Sequence, residues 1–541
     1  MYRPVIRLAA ALLGVVVAVL LASAPASAWS TDDGAVSIHA PSTSVGSVHE
    51  VAVDGSGNIY ACGYYRGNFD VDPDPANTVL VEGAGLNQPV ISKYNTSGNL
   101  VWHRLLDADN SGTVADCAMS SDGAYLAVTG NYKGTMDIDG SGSMATITSG
   151  ADWDAFVVLI NASDGSVAWV KGAGGDGVDQ GTGVDFGSSN EVYVGGHYKG
   201  EADFSWGSGS ADDRTSTGFE DAFLAKFTVG GSLEWSHTWG GTSNDVVHAL
   251  ATDGTDIYVG GYLANIAGDY DPGAGETLIG GTSGGQGGQD SWISKFNPSG
   301  ELQWAKNFGA NGHDKLRALA ARDGFVYGTG WQNGSGGDWD TGGGTTTLAG
   351  TNHDTYTIKL NSSGVTQWVF AVGGSGTSSI PSVEAVAVDG SGNVFSLGYF
   401  RGTADLDSGS GTDNHSSTVA SKDTAFLVKH SSSGVHQWAK SFPTGNHARP
   451  YGLALDGSGN IYQSGYFQGW TDFDPSSGIA QMLSAGSSEG YVAKYTSAGE
   501  LADGNPPETA NPPSGFDVIE GPVDGAELQG FDAEVVLTTP L

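Results

Sequence analysis

The chain has 541 residues, and its 60 Asp+Glu against 22 Lys+Arg give a net charge of −38. Such a surface repels a phosphate backbone and excludes nucleic acid as a partner. Gly is abundant at 86, but 14 Trp, 20 Tyr and 19 Phe require a packed core rather than disorder.

Residues 1–28 read as a secretory signal peptide. MYRPVIR is basic, LAAALLGVVVAVLLAS is apolar but short for a span, and APASA ends in the A-x-A pattern of Ala26 and Ala28. Export to a secreted, extracellular or periplasmic location is expected. No later stretch is apolar enough to cross a bilayer, so a soluble monomer without membrane insertion is expected of the mature chain.

After the signal peptide, runs of Ala, Leu, Glu and Lys at helical spacing are absent, and the fold class is all-β. One unit then repeats seven times. Its first strand is small-residue rich, as in HEVAVD, and ends in a D-G turn such as DGSGN. The second strand closes on glycine and usually an aromatic: IYACGYY, LAVTGNY, VYVGGHY, IYVGGYL, VYGTGWQ, VFSLGYF, IYQSGYF. A third strand, a Ser/Gly turn and a fourth strand with tryptophan follow, as in ISKYNTSGNLVW. Trp102, Trp169, Trp235, Trp304, Trp368 and Trp438 mark six copies, each a flat surface for packing on the next unit. The seventh copy, VAKYTSAGELAD, lacks the Trp and a proper fourth strand. The missing piece stands at the other end, where Ala35–Ala40 align with a fourth strand. These spacings predict a seven-bladed β-propeller of four-stranded blades over 29–503, closed by an N-terminal strand that completes the last blade and leaves no free sheet edge.

The units resemble the SBBP-type β-propeller repeat family, whose pattern is similar to D-G-N-I-Y-x-x-G-Y-x-x-G-x-x-D-F-D-P followed by K-Y-x-x-x-G-x-L-x-W. The resemblance runs from Asp33 to Leu501 and implies an exported or surface protein with no transferable catalytic signature. Beyond it, 504–515 form a Pro-rich linker and 516–541 a tail too short for a core of its own.

Between the second and third strands recurs a D-x-D phrase: Asp70/Asp72, Asp137/Asp139, Asp269/Asp271, Asp338/Asp340, Asp405/Asp407 and Asp472/Asp474, with Asp203/Ser205 in the third unit. The middle residue is always sizeable and apolar, so alternation buries it and turns both carboxylates outward together. Two readings follow. The favoured one is an anchored turn in which Asp side chains accept backbone N–H groups; the other is a Ca²⁺ site, for which two carboxylates supply too few ligands alone. No other cofactor is expected. Acidic loops between units, with Asp176, Asp179, Asp245 and Asp314, add the expectation of one strongly negative face.

DGSGN runs straight into a strand and lacks the distal Glu of a calcium loop, so a hairpin turn explains it. The GxSxG matches at Gly281–Gly285 and Gly486–Gly490 are off any strand-to-helix elbow. The 12 His have no zinc spacing. Cys62 and Cys117 fall toward one face of adjacent blades, and a disulfide between them depends on a Cα separation below about 7 Å. No catalytic constellation stands out, so a non-enzymatic scaffold for protein, glycan or cell-surface ligands is expected, with cation assistance as an option. The alternative is a propeller enzyme: a polysaccharide lyase or hydrolase needing a non-repeated cluster at the axis, or a quinoprotein-like dehydrogenase.

Overall fold

A computed structural model describes residues 35–38 and 45–502, apart from 75–76, 82–85, 139–145, 265–267, 281–287, 335, 349–353, 374–381, 477 and 485–486. The signal peptide, the linker and tail, Asp139 and the GTSGG match lie outside the described residues. Among those described there is no α-helix.

Seven antiparallel units follow one another, each ordered first-second-third-fourth strand. Unit 1 comprises Val45–Val53, Ile59–Arg66, Asn87–Tyr94 and Leu100–Leu105. Unit 2 comprises Ser111–Met119, Tyr125–Lys133, Asp154–Asn161 and Val167–Gly175, and unit 3 Gln180–Phe186, Val192–Tyr198, Asp221–Phe227 and Leu233–Trp239. Unit 4 is Asp245–Thr252, Ile257–Ala264, Gln289–Phe296 and Leu302–Phe308; unit 5 is His313–Arg322, Phe325–Asn333, Asp354–Leu360 and Thr366–Val372. Unit 6 is Ser382–Val388, Val394–Phe400, Thr424–His430 and His436–Phe442. Unit 7 has Ala448–Leu455, Ile461–Phe467 and Glu489–Tyr495, and its fourth strand is Ala35–Ile38, paired Ala35↔Ala493 to Ile38↔Gly490.

The first strand of each unit packs on that of the next, and Ala448–Leu455 packs on Val45–Val53. Among the described residues no sheet closes on itself; neighbouring units meet edgewise at a few bridges, as units 4 and 5 do at Gln289↔His313 and Gly309↔Asp338. The arrangement is that of a propeller-like scaffold. Third strands are buried at nearly every position, and Asp221–Phe227 at all of them, because a neighbouring unit covers each face. Fourth strands such as Leu233–Trp239 are only partly covered.

The repeated Trp and Lys lock successive units. Trp304 Nε1 and Lys295 Nζ of unit 4 both donate to the Ser362 carbonyl of unit 5, at 3.0 and 3.3 Å. The turn glycine beside it, Gly364, has φ +74° and lies on the Trp304 ring, where a Cβ would approach to 2.9 Å. Trp102 and Lys93 meet the Ala162 carbonyl likewise at 3.2 and 2.8 Å, with Gly165 on the ring. The tryptophan and the Ser/Gly turn are therefore two halves of one joint between units.

Candidate functional site

The D-x-D loops are built alike. Asp70 Oδ1 accepts the N–H groups of Asp72 (3.1 Å) and Val79 (2.7 Å), and Asp338 Oδ1 those of Asp340 (2.9 Å) and Thr346 (3.1 Å). Asp269, Asp405 and Asp472 repeat the clamp. The second carboxylate opens a further turn: Asp271 accepts from Gly273, Asp340 from Gly342, Asp407 from Gly409 and Asp474 from Ser476. The middle residues Val71, Ile138, Phe204, Tyr270, Trp339, Leu406 and Phe473 are buried. Sequence alternation alone had both carboxylates outward; instead the first folds back onto its own loop, because that loop returns eight or nine residues later with an N–H needing an acceptor. Unit 3 makes the same clamp from Asp203 to Ser205 (2.7 Å) and Asp212 (2.9 Å). Burial works against ionisation of Asp203, but these donors carry its carboxyl below the usual range. Among the described residues no group of three His, Cys, Asp or Glu side chains converges for a metal.

The inter-unit acids differ from the negative face their number suggested. Asp176 is exposed, but Asp179, Asp245 and Asp314 are buried and accept N–H groups of Gly175, Gly241 and Ala310 at 2.9, 2.7 and 2.7 Å. Burial pushes Asp314 up to about 7 and Asp179 to about 6, so much of this acidity is structural.

Cys62 and Cys117 are bonded, with Cα atoms 6.5 Å apart, joining the second strand of unit 1 to the first strand of unit 2. Cys117 lines a cavity of about 960 Å³ bordered by the first strands of all seven units.

What faces that cavity is set by a bulge. Each first strand carries one extra residue at an equivalent place: His49, Ala115, Thr182, His248, Arg317, Glu384 and Tyr451. A bulge re-aims its side chain, and all seven line the cavity. The bulge also explains the glycine of the second strand. It presses a first-strand carbonyl against that position, so a Cβ on Gly63, Gly130, Gly196, Gly261, Gly330, Gly398 or Gly465 would stand 1.9–2.2 Å from oxygen. The fold keeps the bulge and lets its side chain vary.

The varied residues interact. Arg317 Nη2 meets Glu384 Oε2 at 3.0 Å, and Glu384 Oε1 accepts the Ser382 hydroxyl at 2.6 Å. Glu384 raises the Arg317 pKa against the desolvation there. His49 stacks on Tyr451, centroids 4.8 Å apart. Burial lowers His49 to about 4, and lowers His248 well below its usual value with help from Arg317. Deeper in, burial pushes Asp116 up to about 7, with neighbouring Asp185 adding to it, and raises Glu50, which also faces Asp116. Asp116 Oδ2 accepts the Val184 N–H and Asp185 Oδ2 that of Thr252, both at 2.8 Å, stitching unit 2 to 3 and 3 to 4.

None of these cavity-lining residues was singled out from sequence. The signal that finds them is columnar: His49, His248, Glu384 and Tyr451 each stand five residues before the turn Asp of their unit, in an otherwise Ala/Val-rich strand.

No family model matches the chain. A regulatory protein, FlaEY, of Caulobacter vibrioides is 25% identical over 224 residues, covering 40% of this chain and only 22% of that protein. Structures with some likeness include a chain of a mitotic checkpoint complex (TM-score 0.38, 11% identity, 78% of this chain and 88% of that one). Sqt1 of Chaetomium thermophilum gives 0.40 at 9% identity, covering 86% and 98%, and a europium-containing methanol dehydrogenase gives 0.33 at 9%, covering 81% and 87%.

Proposed function

We propose that the seven units are the blades of one closed propeller, exported through residues 1–28, which acts as a non-enzymatic scaffold binding a protein, glycan or cell-surface ligand at its axial cavity. The pairing of Ala35–Ile38 with the third strand of unit 7, and a cavity bordered by all seven first strands, support closure. The SBBP-type resemblance is consistent with export. The observation that carries binding is the bulge layer: seven equivalent positions face one cavity, and they carry six different residue types, with histidine alone used twice. Architecture alone would repeat one type, as it repeats the Trp, the Lys and the loop Asp.

One observation favours a second function. His49, His248, Arg317, Glu384 and Tyr451 form the non-repeated axial cluster that a propeller acting as a polysaccharide lyase or hydrolase needs. Arrays of glycans and cell-surface material, run with the intact chain and with Arg317→Ala and Glu384→Ala, address the pair, alongside a turnover screen on polysaccharides. Retention lost in the variants supports the scaffold; turnover without retention supports the enzyme.

A further inference from the structure

The residue after each second-strand glycine forms another layer: Tyr64, Asn131, His197, Tyr262, Trp331, Tyr399 and Tyr466. Five are Tyr or Trp, and these are contiguous, running through units 4, 5, 6, 7 and 1. The arc borders the axial layer. Tyr64 lies 5.1 Å from His49, Tyr262 5.4 Å from His248 and Tyr466 5.9 Å from Tyr451. Units 2 and 3, which lack it, also carry the smallest bulge residues, Ala115 and Thr182. Both layers are thus elaborated on the same side of the axis.

The cations within the arc are largely occupied. Arg317 is paired with Glu384, Arg401 and Arg449 both meet the buried carboxylate of Asp423, and Lys315 lies 4.0 Å over the Tyr262 ring. Arg449 covers Tyr399 at 4.9 Å. Tyr64, Trp331, Tyr399 and Tyr466 stay half-buried rather than sealed. The arc therefore offers ring surface, phenol groups and neutralised guanidinium–carboxylate forks, with little free positive charge, on a chain of net charge −38. A polyanion is disfavoured by that charge. Rings beside fixed donors and acceptors match a molecule with apolar C–H faces and many hydroxyls.

Resting on the axial-binding function above, we infer that the aromatic arc of units 4 to 1 is a subsite for a neutral glycan. Its rings stack on the arc and its hydroxyls hydrogen-bond at the Arg317–Glu384 pair.

The test is affinity electrophoresis of the intact secreted chain in gels containing laminarin, galactomannan or dextran, with alginate as the acidic arm, at low and high salt. Retardation is expected with at least one neutral polysaccharide and is insensitive to salt. Trp331→Ala and Tyr466→Ala should each weaken it at least tenfold, whereas Asn131→Ala, outside the Tyr/Trp arc, leaves it unchanged; melting curves confirm that all three fold. No neutral retardation, salt-sensitive retardation by alginate alone, or full binding by both aromatic variants overturns the assignment. If neutral glycans fail while binding to cell-surface material still depends on Arg317 and Glu384, the glycan assignment falls and axial binding stands. If those variants change no binding at all, both fall.

Discussion

The carbonyl oxygen of Lys315 lies where a side chain on Gly330 would begin: a Cβ there would stand 2.0 Å from it. The contact exists because Arg317 is bulged between Leu316 and Ala318, which pair with Gly330 and Thr329. Gly330→Ala must displace backbone, not a pliable side chain. It is expected to destabilise by about 2–4 kcal/mol, the range of core overpacking and strain. Urea titration measures the loss. Gly390→Ala, beside an open turn whose nearest neighbour is Arg322 Nη2 at 3.6 Å, should cost far less.

Asp338 holds its loop by two N–H groups while Trp339 anchors it in the core. Asp338→Ala should cost about 1–3 kcal/mol through the donors left without an acceptor, and Asp338→Asn should recover part of it. Because the clamp uses backbone donors, melting temperatures with EDTA and with saturating Ca²⁺ are expected to coincide. A calcium-dependent rise that Asp338→Ala removes would contradict this.

The Cys62–Cys117 bond spans 55 residues and ties unit 1 to unit 2 beside the cavity. Cys62→Ala with Cys117→Ala should lower stability by about 2–5 kcal/mol, through the larger entropy of the unfolded chain. Non-reducing denaturant titrations of the two chains check it.

Stability should fall as pH rises from 5 to 8. Burial first, and neighbouring carboxylates after it, push Asp116, Asp154 and Asp314 up to about 7 and Asp179 and Asp221 to about 6. Unfolded, each releases its proton near about 3.9. Between those values the folded chain holds protons that the unfolded chain has lost, so added base favours unfolding. A melting temperature higher at pH 5 than at pH 8 by on the order of 5 °C is expected, and Asp314→Asn should flatten the profile. The reverse trend belongs to Asp423, which Arg401 and Arg449 hold below its ordinary value despite burial; its contribution is lost only in stronger acid.

The seven units, the four strands of each, the D-G turns and the split seventh unit are legible in the order of residues alone. Those rest on local chemistry: alternation, turn residues, and a recurring Trp and Gly whose spacing survives in one dimension. That order also pointed to the loop aspartates as turn residues, through the buried position between them. The remaining features emerge only when distant strands are packed together. The second-strand glycine reads as a strand end, and only its neighbour strand shows that it makes room for a bulge. His49, His248, Arg317, Glu384 and Tyr451 look like ordinary polar positions until seven first strands are brought side by side. Asp314 looks like surface charge until its loop folds over it. In each case the deciding contact joins residues from different strands or units, and so is set by packing that no local pattern encodes.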